Sequence, residues 1–217
     1  MISRDQTRQN YDRLSRWYDL FAGSEKKFTE TGLQILDLKA GEYVLEIGFG
    51  TGHSLAAIAR QVGNCGLAAG VELSTGMIGM ARTRLYPFGH KQAEVKEGSA
   101  QMIQGDGARL PFALNSFDAI FLSFTLELFS EAEIPVVLKE CHQVLKPEGR
   151  LGVVSLSKRD VLACRLYEWG HEHWPALLDC RPIHVRESLE AGKFRVQAAN
   201  VQTMWGLPVE IVLGRPF

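Results

Sequence analysis

Apolar residues recur along this chain at two spacings, and the two alternate. At Tyr11, Leu14, Tyr18 and Phe21 the interval is three or four, which predicts an amphipathic helix over residues 4–22. A second helical segment runs from Glu25 to Leu36, with Gly41 breaking the chain beyond it. Tyr43–Ile47 is then a short β-rich run that ends in glycines. Leu55, Ala56, Ile58, Ala59 and Val62 return to one helical face, which Gly63-Asn64 stops. Leu67–Glu72 reads as the next strand, and Ser74 as the N-cap of a helix carrying Met77, Ile78, Ala81 and Leu85, closed by Pro87.

The alternation continues with strands at Gln101–Gln104 and Phe117–Leu122. The second of these is almost continuously apolar, as a central parallel strand covered on both faces should be. Ile134, Val137, Leu138, Cys141, Val144 and Leu145 mark a helix whose Pro135 fits only in its first turn. The turn Lys146-Pro147-Glu148-Gly149 leads into a strand over Arg150–Leu156, and a helix is predicted over Asp160–Trp174. Phe194–Met204 and Pro208–Leu213, divided by Gly206, read as a closing hairpin. Strand and helix alternating in this way predict an α/β, doubly wound sheet with helices on both faces. Ligands of such sheets sit beyond the carboxyl ends of the strands, so the residues following each strand carry the chemical interest.

Composition narrows the class of partner. Lys plus Arg number 24 against 25 Asp plus Glu, a formal charge of −1, and no long run of like charge appears. Nucleic acid is therefore not the expected partner. No apolar run reaches the roughly 18–20 residues that span a bilayer, and Met1-Ile2-Ser3-Arg4-Asp5-Gln6 lacks the apolar stretch of a secretory signal. The expectation is a cytoplasmic protein without a transmembrane segment, with peripheral membrane contact left open. Four cysteines lie far apart with no C-x-x-C pair, which reads as small buried apolar residues. Cys164, His171, His173 and Cys180 offer zinc-type ligands, but at a spacing that matches no common zinc module, so no metal is expected.

Beyond the first strand stands Glu46-Ile47-Gly48-Phe49-Gly50-Thr51-Gly52. Glycines at alternate positions allow a sharp turn and close ligand approach, and Thr51 and Gly52 are expected to present backbone N–H groups at a helix start. Such a turn is compatible with a structural role or with a dinucleotide site, but the third glycine comes one residue early for the dinucleotide fingerprint. Glu46 argues further against it: a carboxylate there repels a pyrophosphate and favours a ligand with its own positive charge, unless a basic neighbour pairs it. Glu72, ending the second strand, has the position and chemistry to accept from the hydroxyls of a ribose. Asp106, between Gly105 and Gly107, is either an acceptor for an exocyclic adenine amine or the first residue of an Asx turn. Ser123, with Phe124 and Thr125, forms either a site floor or plain packing.

The string Val44-Leu45-Glu46-Ile47-Gly48-Phe49-Gly50-Thr51-Gly52 resembles motif I of the class I S-adenosylmethionine-dependent methyltransferases, and Glu72 matches their ribose-binding acid. The runs Gly105–Phe112, Ser116-Phe117-Asp118 and Val144–Leu151 are similar to the ubiquinone and menaquinone biosynthesis C-methyltransferase subgroup. The resemblance covers roughly residues 10–155 well and the last quarter loosely. It implies a Rossmann-like, mostly parallel, seven-stranded sheet whose last strand is antiparallel. It also implies cofactor contacts at the Gly48, Gly50 and Gly52 turn and at Thr51, Glu72, Asp106, Gly107 and Ser123. A leading helix containing Tyr18 would fold over the cofactor, so residues 1–40 would form a helical cover and 41–217 the methyltransferase domain. Two departures stand out: Glu148 where the subgroup commonly has Gly, and Phe49, bulkier than usual between the glycines. The stretch Phe124–Phe129 does not match the quinone enzymes, so the acceptor does not follow from the resemblance.

The expected function is transfer of a methyl group from S-adenosylmethionine to a small-molecule acceptor that is quinone-like, aromatic or lipid, leaving S-adenosylhomocysteine. Such chemistry needs positioning more than a signature base, so no catalytic residue is assigned. Tyr18, Asp19, Glu127, His171 and His173 are the candidates near the expected mouth. An NAD(P)-linked oxidoreductase and a non-catalytic S-adenosylmethionine-binding protein are the rival readings.

Overall fold

The computed structural model describes residues 23–86, 99–159, 164 and 180–217. The helix expected over 4–22 and, of the Cys/His group, His171 and His173 lie outside that set, and the helix expected over Asp160–Trp174 lies outside it except for Cys164.

Seven strands form one sheet in the order β3-β2-β1-β4-β5-β7-β6. They are β1 (Tyr43–Ile47), β2 (Leu67–Glu72), β3 (Ser99–Gln104), β4 (Phe117–Ser123), β5 (Leu145–Leu156), β6 (Phe194–Met204) and β7 (Leu207–Pro216). β1 to β5 pair in parallel, whereas β7 lies antiparallel between β5 and β6, as the resemblance implied. Strand order reverses between β1 and β4, which is where a doubly wound sheet opens a crevice. The hairpin linking β6 and β7 turns on Trp205 and Gly206, both with left-handed φ (51° and 84°).

Helices cover both faces of the sheet. Residues 23–36 form α1, which with α2 (His53–Val62) and α3 (Thr75–Leu85) packs on one side; α4 (Ile134–Val144) and α5 (Val185–Ala191) pack on the other. The stripes read for α2 and α4 are the buried ones: Leu55, Ala56, Ile58, Ala59 and Val62, and Ile134, Val137, Leu138, Cys141 and Val144, whereas Leu145 opens β5 and on α3 only Met77 and Ala81 of the four expected residues are buried. Ser74 caps α3, its hydroxyl accepting from Met77 N–H at 3.2 Å. Gly63, at φ 66°, ends α2.

α1 lies close on the sheet because Gly32 removes a side chain at its contact. A Cβ there would stand 2.5 Å from Val154 and 3.0 Å from Phe121. Arg150 fastens the end of α1. Its Nε donates to the Leu36 carbonyl at 2.5 Å and its NH2 to the Asp37 carbonyl at 2.9 Å, while both terminal nitrogens grip Glu42 at 2.7–2.8 Å.

Several boundaries differ from expectation: β3 starts at Ser99 rather than Gln101, and β7 runs Leu207–Pro216 rather than Pro208–Leu213. Lys146–Gly149 is not a turn before a strand but an expansion inside β5: Leu145 pairs with Phe117, Arg150 with Ala119, and the four residues between stand opposite Asp118 alone. Asp118 uses the arrangement, accepting from Lys146 Nζ at 2.6 Å and from Tyr43 N–H at 2.9 Å. These motif residues fasten the amino ends of β1, β4 and β5, at the far side of the sheet from the glycine turn.

Phe49 has a structural counterpart on β2. Its ring occupies the place where a side chain on Gly70 would be, and Phe49 is buried there at 3% exposure. Replacing Gly70 by Ala is expected to lower the unfolding free energy by about 1–3 kcal/mol, the scale of core overpacking. A second change, Phe49→Leu, should return most of that loss, as a double-mutant cycle in urea would show.

Candidate active site

The carboxyl ends of β1, β2, β3 and β4 carry the described residues expected to contact the cofactor: Glu46, Gly48, Gly50, Thr51, Gly52, Glu72, Asp106, Gly107 and Ser123. Tyr18 lies outside the described residues, as do Asp19, His171 and His173. The glycine turn after β1 is tied at each step. Gly48 N–H donates to Val71 at 2.8 Å, Gly50 N–H to Glu72 Oε2 at 3.0 Å, and Gly52 N–H to the Phe49 carbonyl at 2.9 Å. Arg84 of α3 donates to the Thr51 carbonyl. The Gly52 N–H is therefore consumed inside the turn and is not presented to a ligand, contrary to expectation. The tightness of the 49–52 turn is the physical reason.

Two of the glycines serve different ends. A Cβ on Gly52 would stand 2.7 Å from that of Ala81, so this glycine lets α3 approach. Gly50, at φ 51°, has nothing within 4 Å of the place a Cβ would take. Its conformation resists any other residue, and the space before it is open to a ligand.

Glu72 is anchored by two backbone donors. Oε2 accepts from Gly50 N–H, and Oε1 from Ser74 N–H at 2.9 Å. A backbone donor to each oxygen sets the plane of the carboxylate at the edge of the turn. The β3 tip joins the same cluster: Gly105 N–H donates to the Glu72 carbonyl at 3.0 Å, and Gly107 is packed so near Ile47 that a Cβ would come within 2.7 Å of it. Asp106 forms the Asx turn, Oδ1 accepting from Ala108 N–H at 2.9 Å while its carbonyl accepts from Arg109 N–H at 2.9 Å. At the β4 tip, Ser123 shares a hydrogen bond of 2.8 Å with Thr29 of α1.

Glu46 carries the unusual electrostatics. It is 1% exposed; Ser54 donates to its Oε1, and its Oε2 has no partner. Burial pushes its pKa up to about 8; the Ser54 hydroxyl pulls it down and the neighbouring Glu72 raises it further. The paired basic neighbour that a structural role would need is absent among the described residues. Glu127, in the short 3-10 turn Leu126–Leu128 after β4, is similarly buried at 2% and also pushed up to about 8, chiefly by burial.

Several participants carried no local signal in the sequence. Thr125 packs where Gly48 has no side chain and donates to the Ser123 carbonyl at 3.0 Å. Ser54, Arg84, Thr29 and Gly70 likewise act across the fold. Only Ser54, in the first turn of α2 directly after the glycine loop, had a position that pointed toward Glu46. A groove lined by Leu114, His142, Leu145 and Phe217 lies at the opposite, amino end of β4 and β5 and takes no part.

A seven-stranded 3-2-1-4-5-7-6 sheet with a glycine turn after β1 and an acid ending β2 defines the class I methyltransferase architecture. Residues 44–149 match the methyltransferase domain family. By sequence the chain resembles the quinone-methylating branch. It is 30% identical over 149 residues to a demethylmenaquinone methyltransferase of Lactobacillus johnsonii, covering 69% of this chain and 57% of that one. The chain thus spans little more than half the length of that curated relative. Among solved structures, the [4+2]-cyclase SpnF superposes with a TM-score of 0.75 at 19% identity, over 99% of this chain and 97% of its own. The Burkholderia thailandensis 1,6-didemethyltoxoflavin-N1-methyltransferase, solved with S-adenosylhomocysteine, gives 0.67 at 14% identity over 97% and 88%. These two likenesses concern the fold.

The buried acids predict a pH dependence. A carboxyl whose folded pKa is raised keeps its proton in the native state while the unfolded chain loses it, so stability falls as pH rises from about 4.5 to about 8. Urea midpoints of the ligand-free protein should decline across pH 5–8, and Glu46→Gln should make that decline shallower by about one proton's worth of slope.

Proposed function

We propose that this chain binds S-adenosylmethionine across the tips of β1–β4 and transfers its methyl group to a small-molecule acceptor of quinone-like, aromatic or lipid character. The observation that carries the reading is Glu46 Oε2, a buried carboxyl oxygen with no partner beside an open glycine turn. A site built this way favours a cation. It disfavours a pyrophosphate, which sets aside an NAD(P)-linked oxidoreductase.

The sulfonium of the cofactor, when bound, supplies an already activated methyl group. The chain's residues supply position and environment. Glu46 offsets the positive charge of the ligand's amino acid portion, Glu72 accepts from the ribose hydroxyls, and Gly50 lets the ligand lie against the backbone. Asp106, Gly107 and Ser123 border the adenine and sulfur ends, and Tyr18 is assigned to the cover by resemblance. The acceptor class is supported by the name of the Lactobacillus johnsonii relative. No described helix is long and apolar enough to cross a membrane.

S-adenosylhomocysteine is expected to raise the melting temperature, whereas NAD is not. Glu72→Ala should weaken S-adenosylhomocysteine binding by about 1–3 kcal/mol in calorimetry, the scale for leaving polar groups unpaired. Unaltered affinity would remove the ribose assignment. Absence of label transfer from methyl-labelled S-adenosylmethionine to any acceptor in a broad extract would leave a binding protein rather than an enzyme.

A further inference from the structure

We propose that Glu127 is the acceptor-side base of this site: its Oε2 takes the hydrogen bond, and then the proton, of an acidic O–H on the acceptor, selecting phenols, hydroquinones and enols. The inference rests on the cofactor placement given above and adds what the other half of the crevice recognises.

The glycine turn and Glu72 occupy the tips of β1 and β2. Beyond Ser123, the turn after β4 and the carboxyl end of β5 on the reversed side of the sheet are still unclaimed, and an acceptor that meets the cofactor approaches there. Glu127 stands at that place. β4 stops pairing at Ser123, opposite Val154, while β5 runs on to Leu156. The Leu156 N–H projects past the end of β4 and donates to Glu127 Oε1 at 3.1 Å. Two residues earlier in the same turn, Thr125 rests on Gly48, so the turn that carries Glu127 adjoins the cofactor loop directly.

The other oxygen, Oε2, is buried and makes no hydrogen bond of normal geometry, although the neighbouring Ser155 hydroxyl also favours the ionised carboxyl. A buried polar atom left unanswered costs about 1–3 kcal/mol, more for a charged one. Shape does not demand it, since Leu126 and Leu128 beside it show that apolar residues suit the turn. The charged groups on the elements around it are Glu25 of α1, whose like charge works against ionisation, and Glu210 of β7, which is occupied by Arg186 at 2.6 Å and Arg159 at 3.7 Å. No cation among the described residues pairs with Glu127. Its carboxylate therefore holds a proton more strongly than a surface acid does, which makes it a matched partner for a weakly acidic O–H. A bound cationic ligand nearby would favour its ionised form. In the step itself the acceptor O–H bond breaks, the proton goes to Oε2, and the electron pair stays on the acceptor oxygen, where it enriches the ring or enol for attack.

The test uses 1-naphthol as probe, titrated into the full chain loaded with S-adenosylhomocysteine between pH 6 and 9. The wild type should bind it and develop naphtholate absorbance within that range, below the pH at which free naphthol ionises. Glu127→Gln preserves size and the Leu156 N–H bond. It should bind S-adenosylhomocysteine as the wild type does and melt no lower, yet bind naphthol roughly tenfold more weakly or worse and show no naphtholate band. Glu127→Asp should restore the band in part. With methyl-labelled S-adenosylmethionine and anaerobic 1,4-dihydroxynaphthalene, the rise of rate with pH should vanish in Glu127→Gln, with kcat down roughly 100-fold or more. Equal affinity and an equal naphtholate band in Glu127→Gln would overturn the proposal. So would a wild type that holds S-adenosylhomocysteine but not naphthol. Failure to hold S-adenosylhomocysteine at all would instead remove the cofactor reading and this inference with it.

Discussion

An acid that is buried without a counter-charge constrains this whole end of the molecule. Desolvating an ionised carboxylate costs several kcal/mol, and among the described residues Glu46 has only the Ser54 hydroxyl to offset it. In the ligand-free protein the tension is met by retaining a proton. Burial and loop shape are one problem here: Glu46 is the register partner of Gly70, and Gly70 is the seat of the Phe49 ring. The bulky residue that departs from the usual glycine loop is thus what roofs the β1–β2 strand pair next to the carboxyl and keeps water from it.

The same compactness joins the strand tips into a platform. Gly48 receives Thr125 from beyond β4, Gly107 from beyond β3 receives Ile47 of β1, and Glu72 of β2 is clamped by the β1 turn and the α3 cap. Each contact ties a loop to the tip of a neighbouring strand, so no loop can shift alone. Positioning of this kind supplies much of the advantage in bringing two reactants together. α1 closes the side of the platform through Thr29 on Ser123 and the edge-to-face pair of Phe28 with Phe124, 6.2 Å apart.

The fold was legible in the sequence wherever one element decides its own fate. Period and punctuation placed β1, α2, β2, α3, β4 and α4 because each buries a stripe that it carries itself. What stayed hidden depends on pairs distant in the chain. Nothing near Gly70 says that Phe49 will lie on it, and nothing near Lys146–Gly149 distinguishes a turn before a strand from an expansion within one, since β4 decides that by pairing on both sides. The site was legible in its residues but not in their bonds. Glu46 and Glu72 stood out because acids at strand ends are chemically costly. That Gly52 N–H is consumed inside its own turn, and that Asp106 closes an Asx turn, follow from backbone geometry that spacing does not encode.

Two buried acids at neighbouring strand tips also bear on why this crevice suits the chemistry assigned to it. A cationic methyl donor and an acceptor that has given up a proton carry opposite charges, and their reaction destroys both. Water opposes such a step, because it hydrates the separated charges better than the neutral products. A dry site removes that opposition and strengthens their attraction. Yet a dry site admits a cation only where a negative partner waits, and ionises an acceptor only where something takes its proton. Glu46 meets the first requirement and Glu127 the second. Each is held through one oxygen, with the other oxygen buried and unanswered. A single acid could not fill both roles: paired with the cation it would lose its appetite for a proton, and protonated it would no longer balance the cation. Division of the two tasks between β1 and the turn after β4 therefore follows from the electrostatics of the reaction as much as from the topology of the sheet.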